Sequence, residues 1–174
     1  VAVGRHLGAF TPFELDVTEA VKPGRENILS LAVTSESLAE DIVAGYRMVG
    51  HQMGGIIRKV SLCAVPPVHI SSLHVTTTFD ADFRDAVMQV LVDVANETGK
   101  DAADAEVHLS LREHGPGGRT IRIDPATIKL PAIRPGQVLS RAIGIPVAEP
   151  KKWNAEYPNL YVLDCEVRIR GESL

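Results

Sequence analysis

Apolar and polar residues alternate with a period of two along most of this chain. Phe13, Leu15 and Val17 alternate with Glu14 and Asp16, and Leu29, Leu31 and Val33 with Ser30 and Ala32. Ile56 to Val65 is almost continuously apolar, the pattern of a strand buried on both faces. Leu73, Val75 and Phe79 share a face with Thr77. Met88, Val90, Val92 and Val94 share another, with Gln89 and Asp93 opposite. Val107, Leu109 and Leu111 alternate with His108 and Ser110, and Leu139, Ile143, Ile145 and Val147 continue the pattern. Tyr161, Leu163, Cys165, Val167 and Ile169 close it, with Asp164, Glu166, Arg168 and Arg170 facing away. Turn signals punctuate these runs: Lys22-Pro23-Gly24, Asn96 to Lys100, Gly115-Pro116-Gly117-Gly118 and Arg134-Pro135-Gly136. The best helical candidate, Leu38 to Val49, has weak periodicity and a central Gly45, and reads as a loop. The chain is therefore expected to be all-β, built as sandwiches.

Pro66 and Pro67 mark a seam, because neither can donate to a strand ladder. Beyond it the pattern predicts seven strands, near residues 69–79, 86–95, 105–112, 119–123, 126–130, 138–147 and 160–170. That is the complement of a complete immunoglobulin-like sandwich. Before the seam there is room for three or four strands, about half of a sandwich. The chain opens Val1-Ala2-Val3 without Met and reads as a piece of a longer protein.

Composition adds exclusions. Hydrophobic residues make up 45% and charged residues 23% of 174, a globular balance. The formal net charge of −4, with no Lys/Arg cluster, argues against nucleic acid, and no run of about 20 apolar residues is present to cross a bilayer. Cys63 and Cys165 both lie in apolar runs and are expected to be buried free thiols.

Candidate chemistry is sparse. The six histidines, His6, His51, His69, His74, His108 and His114, form no metal-ligand spacing, and no cofactor motif occurs. Paired carboxylates serve acid–base or nucleophilic chemistry only where both are held beside the reacting bond. Asp80 and Asp82 read as a solvated turn, and Glu14 and Asp16 as the outer face of a strand. Aromatics are few. Tyr46 stands alone in a long loop, and Trp153, between Pro150 and Pro158, is expected to plug the core.

Three segments together carry a resemblance. Gly8-Ala9-Phe10-Thr11-Pro12-Phe13-Glu14-Leu15-Asp16-Val17-Thr18, followed by Lys22 to Leu29, resembles a stretch of the sugar-binding jelly roll of family 2 glycoside hydrolases. Gly54-Gly55-Ile56-Ile57-Arg58-Lys59-Val60-Ser61-Leu62 is similar to the end of that domain. Trp153-Asn154-Ala155-Glu156-Tyr157-Pro158-Asn159-Leu160-Tyr161-Val162-Leu163 resembles the family's immunoglobulin-like domain near its end. The resemblance implies residues 1–67 as the C-terminal part of the jelly roll and 68–174 as the immunoglobulin-like sandwich.

It also implies a parent of the β-galactosidase type, retaining, with two catalytic Glu residues in a (β/α)₈ barrel that begins after Leu174. No catalytic, metal or cofactor residue is assigned within this chain. The family can carry a sugar- and cation-binding Asp just before the Gly-Gly-Ile motif. Here Tyr46 to Met53 holds no carboxylate, and the nearest, Asp41, lies upstream. The expected function is scaffolding of that barrel in an enzyme acting on a carbohydrate. A β-glucuronidase or β-mannosidase parent, or a free-standing carbohydrate-binding sandwich, are the rival readings. The half-sized first domain leaves an apolar face uncovered, and self-association into a homo-oligomer is expected from it.

Overall fold

The computed structural model describes residues 1–8, 11–34, 55–56 and 58–173, and the chain divides into two compact units, Val1–Leu62 and Cys63–Leu174. The second unit is an all-antiparallel pair of sheets. Its strands are β1 (Val68–Phe79), β2 (Ala86–Asn96), β3 (Ala105–Glu113), β4 (Thr120–Ile121), β5 (Thr127–Lys129), β6 (Val138–Val147), β7 (Tyr161–Ile169) and β8 (Glu172–Ser173). One sheet has the order β1-β2-β6. The other runs β4-β3-β7-β8, with β5 also on β3. The seven expected strands are all present, and β8 is a two-residue addition too short to leave a pattern.

Period-two alternation fixes the interior. Met88, Val90, Val92 and Val94 of β2 are buried, as are Val107, Leu109 and Leu111 of β3, and they meet between the sheets with Ile133, Ile145 and Val167. β6 pairs only with β2, and this edge position tolerates Pro146 within the strand. Three turns share one construction, Lys22-Pro23-Gly24-Arg25, Gly115-Pro116-Gly117-Gly118 and Arg134-Pro135-Gly136-Gln137. Proline presets the second position and glycine takes positive φ at the third (72°, 71° and 69°), while the fourth N–H donates to the first carbonyl. A Cβ on Gly118 would collide with the Glu113 carbonyl, so this glycine serves close approach.

One end of the second unit is organised by a buried polar side chain. Asn96 is fully buried at the end of β2, and its Nδ2 donates to Lys100 O (2.8 Å) and Ile133 O (2.7 Å). Its Oδ1 accepts from Thr98 N (2.9 Å) and Thr98 Oγ1 (2.6 Å). All four polar valences of the amide are used, which is the condition for burying it at no net loss.

The first unit differs from expectation. No strand forms among its described residues, although Phe13, Leu15, Leu29, Leu31 and Val33 carry strand periodicity. A strand is defined by its ladder, and none of these runs has one. The same apolar side chains stay exposed. The run from Ile56 to Val65, expected to be buried, has Ile56, Val60, Leu62 and Val65 exposed, and Cys63 with them. Local order comes from side chains instead. Asn27 Oδ1 accepts from Lys22 N (2.9 Å) and its Nδ2 donates to Lys22 O (3.0 Å), while the His6 ring stacks on Phe13 at 4.3 Å.

Candidate functional site

The most elaborately built surface lies at the end of the second unit where β1 turns into β2 and β6 crosses to β7. The connection from Ala148 to Leu160 is held by side-chain-to-backbone and backbone-to-backbone hydrogen bonds together. Asn154 Oδ1 accepts from Glu156 N (3.0 Å) and Tyr157 N (2.6 Å), and Asn154 N donates to Tyr157 O (3.1 Å). Asn159 Nδ2 donates to Lys152 O (2.9 Å), and Tyr161, packed against the core, accepts from Lys151 N at its hydroxyl (2.8 Å). Trp153 and Pro158 form an antiparallel bridge that closes the bend.

The β1–β2 turn is fastened to the same connection. Asp80 accepts from Arg84 N (2.7 Å) and Asp85 N (3.1 Å), so this carboxylate shapes the turn rather than lying idle in solvent. Asp85 Oδ1 accepts from Glu149 N (2.9 Å). That bond, and then the Arg84 guanidinium, hold the Asp85 carboxyl below the usual range. Phe83 sits at φ 54°, an uncommon conformation for a bulky residue, with its ring exposed and 6.2 Å from that of Phe79.

These hydrogen-bonded loops present apolar side chains to solvent. Trp153 is 63% exposed, and Tyr157, Leu160 and Phe83 are also open. The expectation that Trp153 plugs the core is thus corrected. The Asn154 bend closes outside the two facing sheets, and Tyr161 alone reaches inward from this segment. An exposed tryptophan on a rigid loop is suited to being covered by a partner surface.

The charged outer face of β3 and β7 is a second concentration of polar groups. Cross-strand pairing sets Glu106 against Arg168, His108 against Glu166 and Ser110 against Asp164. His108 Nε2 lies 3.2 Å from Glu106 Oε2, and Arg168 Nη2 donates to Glu166 Oε2 at 2.8 Å. His108, Ser110, Asp164, Glu166 and Arg168 line an open depression of about 310 Å³. The Arg168 hydrogen bond lowers Glu166, and the Thr18 hydrogen bonds lower Asp16. Asp16, Asp85 and Glu166 all move away from the raised value a general acid requires. Burial, and then the Asp164 charge, push the Cys165 thiol up to about 11, opposite to the shift of an activated nucleophile. No group of three or more His, Cys, Asp or Glu is placed to hold a metal ion among the described residues. Asp41, Tyr46 and His51 lie outside them.

Residues 68–174 match the family model described as Glycosyl hydrolases family 2. Over 99% of its length the chain is 29% identical to a β-galactosidase of Priestia megaterium, and over 98% it is 31% identical to one of Leuconostoc mesenteroides. In each case it spans only 16% of the relative. Among solved structures, a Bacteroides uniformis β-glucuronidase superposes with a TM-score of 0.58 at 25% identity, over 71% of this chain and 15% of that one. On sequence and fold together, this chain belongs to the family 2 glycosyl hydrolases.

Proposed function

We propose that this chain is a non-catalytic portion of a larger, retaining β-galactosidase, and that it braces a (β/α)₈ barrel carried elsewhere in that polypeptide. The observation that carries the reading is the match to named β-galactosidases over essentially the whole chain, although the chain is a sixth or less of their length. Retention requires a carboxylate nucleophile and a carboxylic acid of raised pKa about 5 Å apart. The shifted carboxylates described above are lowered and engaged in turns or ion pairs, which supports placing that pair outside this chain. The exposed Trp153 supports the bracing role, since a partner surface that covers it would be aligned by rigid loops.

Assay with nitrophenyl β-galactoside tests the assignment. The isolated chain is expected to show no turnover and the full-length parent to show it. Turnover by the isolated chain that vanishes on mutating one of its own carboxylates would sink the reading. A β-glucuronidase parent is the second reading, favoured by the structural likeness to the Bacteroides enzyme. A higher kcat/KM of the parent for the β-glucuronide than for the β-galactoside decides for it.

A further inference from the structure

The two outer faces of the second unit differ in chemistry. On β3 and β7 the outward residues are largely charged, and Arg112 with Asp164 and Arg168 with Glu166 form ion pairs, as suits a surface in water. The outer face of the β1-β2-β6 sheet is different. Along its central strand β2 the outward residues are Val87, Gln89, Leu91 and Asp93. Level with these, the outward positions of all three strands carry a single Asp, Glu, Lys or Arg, which is Asp93 itself. Val87 and Leu91 are 38% and 41% exposed, whereas the inward Val90 and Val92 between them are at 0%. Exposed apolar side chains at the centre of a patch depleted of charge are the composition of an interface core.

Small residues along β6 keep this face flat. Ser140, Ala142 and Gly144 stand opposite Asp93, Leu91 and Gln89. The Gln89 amide lies against Gly144, where a Cβ would meet its Nε2 at 3.1 Å and its Oε1 at 3.2 Å. The missing side chain therefore lets the amide lie low over β6 and stay at the surface.

We propose that this face is an interface between two copies of the chain, stacked sheet on sheet about a two-fold axis that passes Leu91. The occupant follows from the order of side chains along β2. Gln89 and Asp93 stand two residues to either side of Leu91 on one face. A two-fold axis lying between the sheets and perpendicular to the strands reverses the strand direction. It sets Leu91 on its own copy, and Gln89 of each copy over Asp93 of the other, an amide donor against a carboxylate acceptor. Ser140 and Gly144 exchange in the same way and Ala142 meets itself, so bulk is low along the whole β6 edge. The other in-plane axis, parallel to the strands, sets Asp93 against Asp93, and like charges brought together oppose association.

The area sets the strength of the contact. Three strands about 4.8 Å apart and about ten residues long present roughly 14 by 34 Å, about 500 Å² on each copy. Both copies together bury close to the lower bound of a specific interface, so the dimer is weak and reversible. This surface is separate from the exposed apolar side chains of the first unit, and it calls for a test that reads it by position.

Cross-linking of the whole chain by a short thiol-specific reagent, in a Cys63→Ser background, supplies it. Leu91→Cys should cross-link to its own copy about fivefold or more above Ser110→Cys on the outer face of β3. Gln89→Cys alone should cross-link poorly, because the axis places position 89 about 14 Å along the strands from its own copy. Asp93→Cys alone should do the same, and a mixture of the two should give several-fold more of the mixed dimer. Gln89→Asp sets carboxylate against carboxylate and should cut the Leu91→Cys yield several-fold, whereas Gln89→Lys should raise it. Dichroism checks that each variant is folded. Equal yields from Leu91→Cys and Ser110→Cys overturn the proposal, as does a mixture that gains nothing over Gln89→Cys alone. A Leu91→Cys thiol that resists modification yet does not cross-link also overturns it, because a surface other than a second copy then lies on this face.

Discussion

Replacing Asn96 should destabilise the second unit more than substitution of any other polar residue in it. Asn96→Ala removes four hydrogen bonds, the one to Ile133 O wholly buried. The carbonyls left behind are not fully orphaned. Ile133 O still accepts from Ala102 N (2.9 Å), and Lys100 O from Thr98 Oγ1 (2.8 Å). The loss is then close to the net worth of the bonds, about 1 kcal/mol each with the two at Thr98 partly solvated, for a total of about 3 kcal/mol. In a unit of this size that is a fall of about 10–20 °C in Tm. Asn96→Asp isolates the donor half of the amide. It keeps the shape and the bonds from Thr98 but sets a carboxylate against two carbonyl oxygens. That environment raises the folded pKa above the unfolded value of about 3.9. The penalty is absent below the unfolded pKa, grows as pH rises towards the folded pKa, and is complete above it. The Asn96→Asp variant is therefore tolerated at about pH 4 and costly at about pH 7. Urea denaturation followed by the β-sheet dichroism reads this unit directly, because all eight strands among the described residues belong to it. An Asn96→Ala loss below about 0.5 kcal/mol, or an Asn96→Asp variant equally stable relative to wild type at both pH values, refutes the reasoning.

Other outcomes follow from burial. Ile145→Ala, at a fully buried site, should cost about 3–4 kcal/mol, whereas Leu73→Ala, at a site 41% exposed, should cost clearly less; equal losses in urea melts contradict this. Trp153, the sole tryptophan, should emit close to free indole in water, and Trp153→Ala should leave Tm of the isolated chain nearly unchanged; a strongly blue-shifted emission contradicts this. At about pH 8 the exposed Cys63 should react with a thiol reagent far faster than Cys165, whose raised pKa leaves little thiolate, and comparable rates in single-Cys variants contradict that. The exposed Phe13, Leu29, Leu31 and Val33 should drive the whole chain into dimers or larger species by light scattering, and a monodisperse monomer counts against it.

The second unit is legible in the sequence because each of its long strands buries one face, and a single buried face writes itself as alternation. Even the β1 parity is readable. A bulge between Ile70 and Ser72 shifts the phase, so Val68 and Ile70 face inward before it and Leu73 and Val75 after it. Exposure is not readable, since alternation reports which way a residue points and not whether anything lies opposite. That is why Leu73 and Val75 resemble core residues, why Ile56 to Val65 read as a buried strand, and why Cys63 reads as an interior residue. Trp153 misleads for a different reason. It stands in a bend with no period, where hydrophobicity alone argues for burial, and only the hydrogen bonds of Asn154 show that the bend closes outside the sheets. The cluster from Asn96 to Lys100 is recognisable as a turn. The burial of Asn96 itself leaves only an indirect trace, a polar residue ending an apolar strand just before Thr98 and Gly99.

The registers also set the entry of the chain into the second unit far from the aromatic loop. Val68 enters beside Asn96, while the loop bearing Trp153 occupies the opposite pole. A pull applied at Val68 and directed away from the aromatic pole would therefore peel β1 from β2 rung by rung, starting at the Val68–Asn96 pair. Such a unit is a soft mechanical element. It yields progressively under such a load, and the aromatic pole, farthest from Val68, keeps its shape until the last rungs open.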